Sequence, residues 1–322
     1  MTSAAAPDSP RWRGPVVGFA LACCAVGLAL PLIGRVLSPT ANTFTWLLDL
    51  AAHWQPLYAL GWLALCLLCA RRARRWLLLS PLALLPLFTA SSPLVQTDGG
   101  RPALVIAAAN VYVGNHDPAP LVAWLRAQPA DVVMLSELSP PYAEALAEAV
   151  GDDYRFRILH PKDSPFGIGI VSRLPLREIA LIDDADGVQT VIAEVRVGRQ
   201  PVRVIAAHPM PPLGPEWHSK RSRLLSTLAR QAGRTPTVVA GDLNATPWSS
   251  ALTGAANGGL FRATGRLPTW PQWGHGVFGI PIDHVLATTH FRRGESWRGP
   301  AIGSDHVPVR ATLHWLDEHD ID

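Results

Sequence analysis

The chain has 322 residues and a formal net charge of +3 at pH 7, but that charge is divided unevenly. The first 96 residues hold seven arginines and two acids, which leaves 28 − 7 = 21 basic and 25 − 2 = 23 acidic residues for the rest. A C-terminal part near −2 lacks the basic balance of proteins that grip nucleic acid through many phosphates, although a local basic patch stays open. All four cysteines lie in apolar runs of the first 96 residues, so neither disulfides nor thiolate ligands hold the C-terminal part together.

Three apolar segments follow a polar stretch at residues 1–13. They cover about residues 14–37, 46–70 and 76–95, and each has a length that crosses a bilayer. Three prolines interrupt the third segment, where we expect kinks or fraying. The sequence therefore predicts a membrane anchor of three transmembrane helices within residues 14–96, with buried core helices as the alternative.

Arginine clusters predict the orientation of these segments. Arg11 and Arg13 precede the first, and four arginines at positions 71, 72, 74 and 75 fill the gap between the second and third. Because cytoplasmic loops are enriched in lysine and arginine, residues 1–13 are predicted to be a cytoplasmic tail. Three crossings then place residue 97 onward on the extracytoplasmic side of the cell (inner) membrane. A cleavable signal peptide is the alternative for the first segment, but two following spans favour an anchor.

A domain of alternating β-rich and helical stretches is predicted at residues 103–315, after a linker at 97–102 and before a C-terminal tail at 316–322. Strands are predicted near residues 103–109, 132–135, 169–172, 188–197, 202–208, 237–240, 282–287 and 307–313. Helices are predicted at residues 118–127, 141–150, 216–231 and 248–256. A hairpin-like turn joins strands 188–197 and 202–208, so the sheet is mixed.

The heptapeptide VVAGDLN, residues 238–244, presents two polar side chains at the end of a predicted strand. Small and β-branched residues lead into Gly241, where the backbone needs conformational freedom. Asp242 and Asn244 lie two positions apart, so on an extended chain they point to the same side. The pair can hold a hydrated metal or a phosphate, or it can simply shape a turn, and the heptapeptide leaves both open.

Other polar residues also stand at strand ends, where each alone is more often a turn, a cap or a structural residue. These residues are Asn110, Glu137, His208, Asp283, Asp305 and His306. Together, carboxylates and amides without cysteine make a hard oxygen site suited to Mg²⁺, Mn²⁺ or Ca²⁺. Two histidines beside it can donate to a phosphate or move protons. The set has the equipment for hydrolysing a phosphate ester.

The order of these motifs resembles the endonuclease/exonuclease/phosphatase superfamily, which includes DNase I, abasic-site enzymes of the exonuclease III type, inositol-polyphosphate 5-phosphatases and neutral sphingomyelinases. The marks are Asn110, the LSE that ends in Glu137, GIVSRLPL, His208, GDLN, IDHV and SDH. With its apolar front end, the chain is most similar to bacterial membrane-anchored members. The resemblance implies an α/β fold, a four-layer α/β/β/α sandwich of two mixed β-sheets (DNase I-like) preceded by three transmembrane helices.

The resemblance also implies a metal site and a site for water. Glu137 is expected to be the main metal carboxylate, assisted by Asn110 and Asp305, and the metal is expected to be Mg²⁺ or Mn²⁺. Asp242 is expected to position or deprotonate the attacking water. Asn244 is expected to hold an oxygen of the substrate phosphate.

Two histidines are expected to face the scissile phosphate. The resemblance implies that His306 contacts it and is oriented by Asp283, while His208 is the second phosphate-facing histidine. Trp270 begins an aromatic loop, TWPQWGHGVFGIP, and is a candidate for substrate binding, with simple packing as the alternative. His284 should face the opposite side of its strand from Asp283, which favours a structural role.

The predicted function is that of a membrane-anchored, divalent-metal-dependent hydrolase of phosphate esters. A nuclease-like phosphodiesterase is favoured slightly, with basic residues such as Lys220, Arg221, Arg223, Arg292 and Arg293 as the candidates for contacting nucleic acid. A lipid-headgroup phosphodiesterase or a phosphomonoesterase is the alternative. From another class, a membrane-tethered binding or scaffold protein is disfavoured, because every aligned position keeps a chemically competent residue.

Overall fold

The computed structural model describes residues 13–37, 42–91, 102–233, 235–272 and 279–316. Its strands are β1 (Leu104–Asn110), β2 (Val132–Ser136), β3 (Phe156–His160), β4 (Ile168–Ser172), β5 (Leu176–Asp183), β6 (Gln189–Val197), β7 (Gln200–Ala207), β8 (Thr237–Asp242), β9 (Leu260–Arg262), β10 (Asp283–Thr288), β11 (Phe291–Arg298) and β12 (Val309–Trp315). The predicted N-terminal tail, most of the linker and most of the C-terminal tail lie outside the described residues.

The helices fall into an N-terminal group and a group that covers the sheets. The first group contains α1 (Arg13–Val36), α2 (Thr43–Ala52), α3 (Gln55–Ala70), a 3₁₀ helix at Arg74–Leu84 and α4 (Leu85–Thr89). The second contains α5 (Ala119–Ala127), α6 (Pro140–Val150), a 3₁₀ turn at Gly151–Tyr154, α7 (Pro215–Ala232) and α8 (Ser250–Asn257).

Two six-stranded sheets pack face to face between the helices. Their strand orders are β11-β12-β1-β2-β4-β3 and β5-β6-β7-β8-β10-β9. The pairs β1–β2 and β7–β8 are parallel and the other pairs are antiparallel, so both sheets are mixed. The expectation of two mixed sheets in a DNase I-like sandwich is confirmed.

Side-chain alternation along β1 shows how the layers form. Ile106 and Ala108 point into the apolar core between the sheets, whereas Ala107 and Ala109 point to a second core. That second core is covered by α5 and α6, with Leu121 and Leu146 among its buried residues. Because both faces of β1 are buried, its sequence is a continuous apolar run rather than an alternating one.

The expectation of three transmembrane helices is wrong. Among the described residues, one helix, Gly14–Val36, is long and apolar enough to cross a membrane. The second predicted span is broken at Trp54 into α2 and α3, and the 16 residues of α3 reach only about 24 Å. The third is a 3₁₀ helix with Pro81 inside it, followed by the five-residue α4.

Polar side chains explain why the second predicted span is not a continuous membrane helix. Asp49 and His53 lie four residues apart on one helical face and are both buried. Asp49 accepts hydrogen bonds from Arg221 Nη2 at 2.7 Å and from the Ser250 amide at 2.6 Å. His53 Nδ1 lies 3.0 Å from the Thr246 hydroxyl. The α2 helix is therefore docked on the sheet domain by this face.

Candidate active site

The ends of four strands bring the predicted polar residues to one edge of the sandwich. β1 and β2 run parallel, with Asn110 opposite Ser136, so Asn110 and the following Glu137 leave the first sheet together. In the second sheet, Asp242 ends β8 and lies directly opposite Asp283 at the start of β10. A hydrogen bond from the Asp242 amide to Ser136 Oγ at 3.4 Å links the two sheets at this edge.

Unusual backbone conformations surround this edge. The described residues other than glycine with positive φ are Tyr112 (64°), Glu137 (58°) and Asn244 (48°), and all three follow strands of the site. Such conformations carry a cost and cluster at functional sites. Gly241 has φ 144°, and a Cβ there would collide with the Ala207 carbonyl oxygen. Only glycine fits this backbone conformation, as expected from the sequence. The strand nevertheless continues through it to Asp242.

Asn110 ties the carboxylates of the two sheets together. Its side-chain oxygen accepts a hydrogen bond from the Tyr112 amide at 3.0 Å. Its amide nitrogen therefore faces the site, where it donates to Glu137 Oε1 at 2.9 Å and to Asp242 Oδ2 at 3.2 Å. Glu137 Oε2 also accepts from the Val113 amide at 3.2 Å. In this arrangement Asn110 orients the carboxylate of Glu137.

Asp242 lies between two histidines. Its Oδ2 is 3.5 Å from His208 Nε2 and 3.7 Å from His306 Nε2. Burial alone would raise the pKa of Asp242, but the positive charge of His306 and the hydrogen bond from His208 outweigh it and lower that pKa to about 2. For His208, burial disfavours the charged form, and the bond to Asp242 more than compensates, so its pKa is raised. His208 Nδ1 is held by the Pro165 carbonyl oxygen at 3.1 Å.

His306 forms the tightest pair of the site with Asp283. His306 Nδ1 donates to Asp283 Oδ2 at 2.8 Å, and both side chains are buried. Burial opposes a charged imidazole, but the charges of Asp283 and Asp242 outweigh it and raise the pKa of His306 to about 10. Burial raises the pKa of Asp283 in spite of the nearby imidazolium. The pair leaves His306 Nε2 directed towards Asp242 and away from Asp283.

Asp305, Trp270 and Asn244 stand at the margin of this cluster. The Trp270 indole donates to Asp305 Oδ2 at 2.8 Å, and its ring centroid lies 6.3 Å from that of His306. Asn244 donates its backbone amide to Asp242 Oδ1 at 2.9 Å and its side-chain amide to the Pro209 carbonyl oxygen at 3.0 Å. Residues 273–278, the remainder of the predicted aromatic loop up to Phe278, lie outside the described residues.

The chemistry of the donor atoms fits a hard divalent cation. Four carboxylates meet at this edge, from Glu137, Asp242, Asp283 and Asp305, against two histidines whose raised pKa values favour the charged form. Their charges sum to −4 + 2 = −2 when both imidazoles are protonated. Donor atoms of Asp242, Asp283 and His306 also lie within 4.8 Å of one another. Since His306 Nδ1 is hydrogen-bonded to Asp283, we interpret that trio as a proton-sharing network.

The other predicted polar residues lie apart from the cluster. His284 is fully buried on the opposite face of β10, with Nδ1 3.0 Å from Thr264 Oγ1 and Nε2 2.9 Å from the Ala245 carbonyl oxygen. Burial, and next the charge of Arg262, lower the pKa of His284 to about 3. Lys220 pairs with Asp186 and Glu216.

Arg221 is buried in the contact with α2, and its Nη1 donates to the Asn244 carbonyl oxygen. Arg223 donates to Ser219 Oγ at 2.6 Å, and Arg292 and Arg293 lie in β11. None of these basic residues lines the cleft over the cluster. The basic patch expected for a nuclease-like surface is therefore not at the site within the described part of the chain.

The cleft over the cluster has a volume of about 480 Å³ and one wall that the sequence did not predict. That wall comes from the N-terminal group: Leu50 and His53 at the end of α2, and Trp54 after it. The sequence also did not predict Ser136 and Thr269, which hold residues of the cluster by hydrogen bonds and do not line the cleft. Ser136 Oγ accepts from the Asp242 amide, and the Thr269 hydroxyl accepts from the amides of Ile282 and Asp283 at 3.1 and 3.2 Å. Asp49 and His53, at helical spacing in an apolar run, were the available signal for the wall.

Comparison with known proteins agrees with this geometry. The model of the Endonuclease/Exonuclease/phosphatase family matches residues 107–306, more than half of the chain. The chain therefore belongs to the endonuclease/exonuclease/phosphatase family. No curated protein sequence matches it.

Several solved structures share the fold of the sheet domain. An endonuclease/exonuclease/phosphatase from Beutenbergia cavernae is 22% identical with a TM-score of 0.54, over 67% of this chain and 72% of that one. The 3′ phosphatase NExo from Neisseria, bound to a product DNA hairpin, is 18% identical with a TM-score of 0.53, over 66% and 100%. A humanized D. rerio TDP2 is 18% identical with a TM-score of 0.53, over 66% and 98%. At these identities the likeness establishes the fold alone.

Proposed function

We propose that this protein is a divalent-cation-dependent hydrolase of phosphate esters. The observation that carries the proposal is the cluster of four carboxylates and two histidines at one edge of both sheets, in a chain of this family. A net negative charge collected in a partly buried cleft is costly unless a cation binds there. Phosphate-ester hydrolysis is the chemistry that such a cation and two imidazoles serve.

Glu137 and Asp305 would hold the cation, and Asn110 would orient Glu137. Among divalent cations, Mg²⁺ or Mn²⁺ suits such oxygen ligands best. Bound there, it would stabilise the charge on the phosphate oxygens as a Lewis acid. The backbone amide and carbonyl groups of Asn244 are hydrogen-bonded to Asp242 and Arg221, and its side-chain amide donates one hydrogen to the Pro209 carbonyl oxygen, so its second N–H would be the donor to a phosphate oxygen. Such preorganised contacts are the main source of phosphoryl-transfer catalysis.

The histidines and Asp242 have complementary parts in the reaction. His306 stays protonated at neutral pH, since its pKa is about 10, and its Nε2–H can bind a non-bridging oxygen. His208 can bind a second oxygen. Asp242, with a pKa of about 2, is a weak base, so we assign it chiefly to orienting the water. The water oxygen bonds to phosphorus and its proton passes by way of Asp242 to solvent, while the bond from phosphorus to the ester oxygen breaks and the leaving alkoxide takes up a proton from solvent.

We further propose that α1 attaches the protein to the cell membrane. Its 23-residue apolar stretch suits a bilayer, and Arg11 and Arg13 precede it. Arg71 and Arg72 lie beside Gly14 and Val17, so the second arginine cluster is at the same end of α1 as the first. By the positive-inside rule that end is cytoplasmic, and the sheet domain is extracytoplasmic. A single crossing by α1 puts the sheet domain on the same side of the membrane as the three crossings that the sequence predicted.

The test is hydrolysis by the full chain in lipid nanodiscs, with Mg²⁺, Mn²⁺ or EDTA. The panel contains plasmid DNA, single-stranded DNA, RNA, bis-nitrophenyl phosphate, nitrophenyl phosphate and a phospholipid. We expect cation-dependent turnover of at least one ester, reduced about 10²- to 10³-fold in Glu137→Gln, because the stabilisation of transition-state charge is lost.

Glu144→Gln is the matched control, since Glu144 is an exposed carboxylate on α6 away from the cleft. It should keep full activity. No turnover of any ester by folded protein, or equal activity in Glu137→Gln and the wild type, contradicts the proposal and favours a binding or scaffold protein.

A further inference from the structure

We infer that the substrate is an amphiphilic phosphate ester of the membrane, whose apolar chain lies in the cleft between α2 and the segment after β7. This inference rests on the proposed function and names its substrate class. The cleft joins an apolar compartment to the four carboxylates and two histidines of the site, which we call the catalytic cluster (Glu137, His208, Asp242, Asp283, Asp305 and His306). A small soluble ester or a nucleotide would leave that compartment empty. Four observations support it: the origin of the walls, their fixed docking, their composition and their continuity with the apolar N-terminal helices.

The first observation is that two apolar walls face each other beside the catalytic residues. Leu50 and Trp54 form one wall, from the end of α2. The segment between β7 and α7 and the first turn of α7 form the other, with apolar residues at Met210, Pro211, Pro212, Leu213 and Trp217. His208, Asp242 and His306 line the same cleft, so an apolar chain there is continuous with a phosphate at the catalytic cluster.

The second observation is that the wall from α2 is held in place by specific bonds. The Trp46 indole donates to the Pro212 carbonyl oxygen at 2.7 Å, which joins the two walls directly. His53 is bonded to Thr246, and Asp49 to Arg221 and Ser250. Asp49, His53 and Arg221 are buried, so these bonds are shielded from water. The wall is therefore a built part of the cleft and not a loosely apposed surface.

The third observation is the charge of the lining. No lysine or arginine is among the described residues that line the cleft. Proteins that bind nucleic acid neutralise several backbone phosphates with such side chains. Three histidines line the cleft: His208 and His306 belong to the catalytic cluster, and His53 is hydrogen-bonded to Thr246. The lining thus suits one phosphate with an apolar attachment better than a polymer of phosphates.

The fourth observation is the exposed apolar surface at the mouth of the cleft. Leu213 is 72% exposed and Trp54 is 36% exposed. Trp54 directly precedes α3, whose exposed face carries Leu57 and Leu60. An apolar surface of this kind marks contact with a membrane or a ligand. It leads from the apolar N-terminal helices to the cleft, and a volume of about 480 Å³ falls within the usual range of ligand sites.

The test uses a series of alkyl nitrophenyl phosphates, in which the leaving nitrophenolate stays constant and the alkyl chain grows from methyl to octyl. The full chain in nanodiscs is assayed with Mg²⁺ or Mn²⁺. Because each buried methylene favours binding, we expect kcat/KM to rise at least about tenfold from methyl to octyl. Single-stranded DNA and RNA are assayed in parallel.

Longer esters also partition into the bilayer, so variants separate this effect from binding in the cleft. Leu213→Ser should lower the octyl-to-methyl ratio of kcat/KM about threefold or more, since the serine removes apolar contact from the wall. Leu267→Ser is the matched control: Leu267 is 65% exposed and does not line the cleft. It should leave the ratio unchanged, because Leu267 does not contact the alkyl chain in the cleft. Partition into the bilayer is the same for both variants, so a change seen only in Leu213→Ser reports binding in the cleft.

A second readout does not depend on turnover. A non-hydrolysable alkyl phosphonate with a photoreactive diazirine on its chain is cross-linked to the protein, and the labelled peptides are identified by mass spectrometry. We expect label at residues 50–54 and 210–217, and less of it in Leu213→Ser.

The outcomes separate this inference from the proposed function. Cation-dependent turnover with equal kcat/KM for methyl and octyl esters, or cleavage of nucleic acid alone, overturns the lipid substrate and leaves the hydrolase intact. Label absent from both walls also overturns it. Label in the walls without turnover of any ester supports the apolar site and contradicts the proposed hydrolase.

Discussion

Two clusters of charged side chains touch the loop that carries Asn244, one buried and one open to a cleft, and their charges are balanced differently. In the docking cluster, Asp49 faces Arg221, and both of its carboxylate oxygens accept hydrogen bonds. One carboxylate is matched there by one guanidinium. In the catalytic cluster, four carboxylates face two histidines. The charges of the first cluster are balanced, whereas the second has an excess of negative charge.

The space around the clusters differs in the same way. A cavity of about 20 Å³ lies beside Asp49 and His218, which is room for little more than one water molecule. The cleft over the catalytic cluster measures about 480 Å³. A buried ionic network with no room serves docking, and one with uncompensated charge and open volume serves a ligand. The comparison thus distinguishes a structural cluster from a candidate ligand site without reference to sequence motifs.

The largest effect is expected from Asp49→Asn. The change leaves the Arg221 guanidinium buried without a counter-charge, and breaking a buried pair typically costs about 3–5 kcal/mol of unfolding free energy. The low end is expected, because the new amide oxygen still accepts from Ser250. The measurement is thermal unfolding of the full chain in detergent. Asp186→Asn, which breaks the exposed pair with Lys220, should change the melting temperature little.

If Asp49→Asn and Asp186→Asn melted alike, the α2 helix would not be docked through this pair. The contact also holds the Asn244 carbonyl oxygen through Arg221, so a lower kcat is expected to accompany the loss of stability.

The second effect is expected from Asp242→Asn, and it falls on activity. We expect kcat to drop about 10²- to 10³-fold, because the group that orients the water and faces both histidines is lost. The melting temperature should fall less than in Asp49→Asn, since this cluster carries surplus negative charge. Both quantities are measured on one preparation. If Asp242→Asn lowered the melting temperature as much as Asp49→Asn and kept the wild-type kcat, the structural and catalytic assignments of the two clusters would be reversed.

The smallest effect at neutral pH concerns two buried histidines of opposite protonation state. His306 has a raised pKa, whereas the pKa of His284 is lowered to about 3, against about 6.5 in an unfolded chain. As the pH falls below about 6.5, the unfolded state takes up a proton at His284 that the folded state does not. Stability from this residue is therefore lost between about pH 6.5 and pH 3, by at most about 1.4 kcal/mol per pH unit.

The variant His284→Gln tests this, because glutamine can keep hydrogen bonds without titrating. Its unfolding free energy should depend less on pH over that window than that of the wild type, whereas exposed His116→Gln should match the wild type. Equal slopes in His284→Gln and the wild type contradict a neutral, buried His284.

Much of the sheet domain and the order of its polar residues could be predicted because the signals are local. Buried strands such as β1 and β8 are apolar runs, and their ends carry the polar residues. The strand β5 was missed because it is an exposed edge strand with charges at Arg177 and Glu178 and no regular alternation. The strand β3, FRILH, was missed as well, because it is recognisable as a strand only from its pairing with β4.

The first N-terminal helix was predicted within one residue, but the second and third segments were predicted poorly because their partners are distant in sequence. Asp49 was included in a membrane span, since nothing local shows that Arg221 lies 172 positions away as its counter-charge. For the same reason, the cleft wall from Leu50 and Trp54 could not be predicted. Hydropathy measures how apolar a segment is, but it does not tell whether lipid or protein covers it.

We expect the surplus charge of the catalytic cluster to bind a divalent cation, and the melting temperature with Mg²⁺, Mn²⁺ or EDTA measures this binding without any substrate. A cation at 100 times its Kd should stabilise the wild type by about 2.7 kcal/mol. We expect most of this increase to be lost in Glu137→Gln and kept in Glu144→Gln and in folded Asp49→Asn. If the cation did not raise the melting temperature of the wild type, or raised that of Glu137→Gln equally, the catalytic cluster would not be the binding site of a divalent cation.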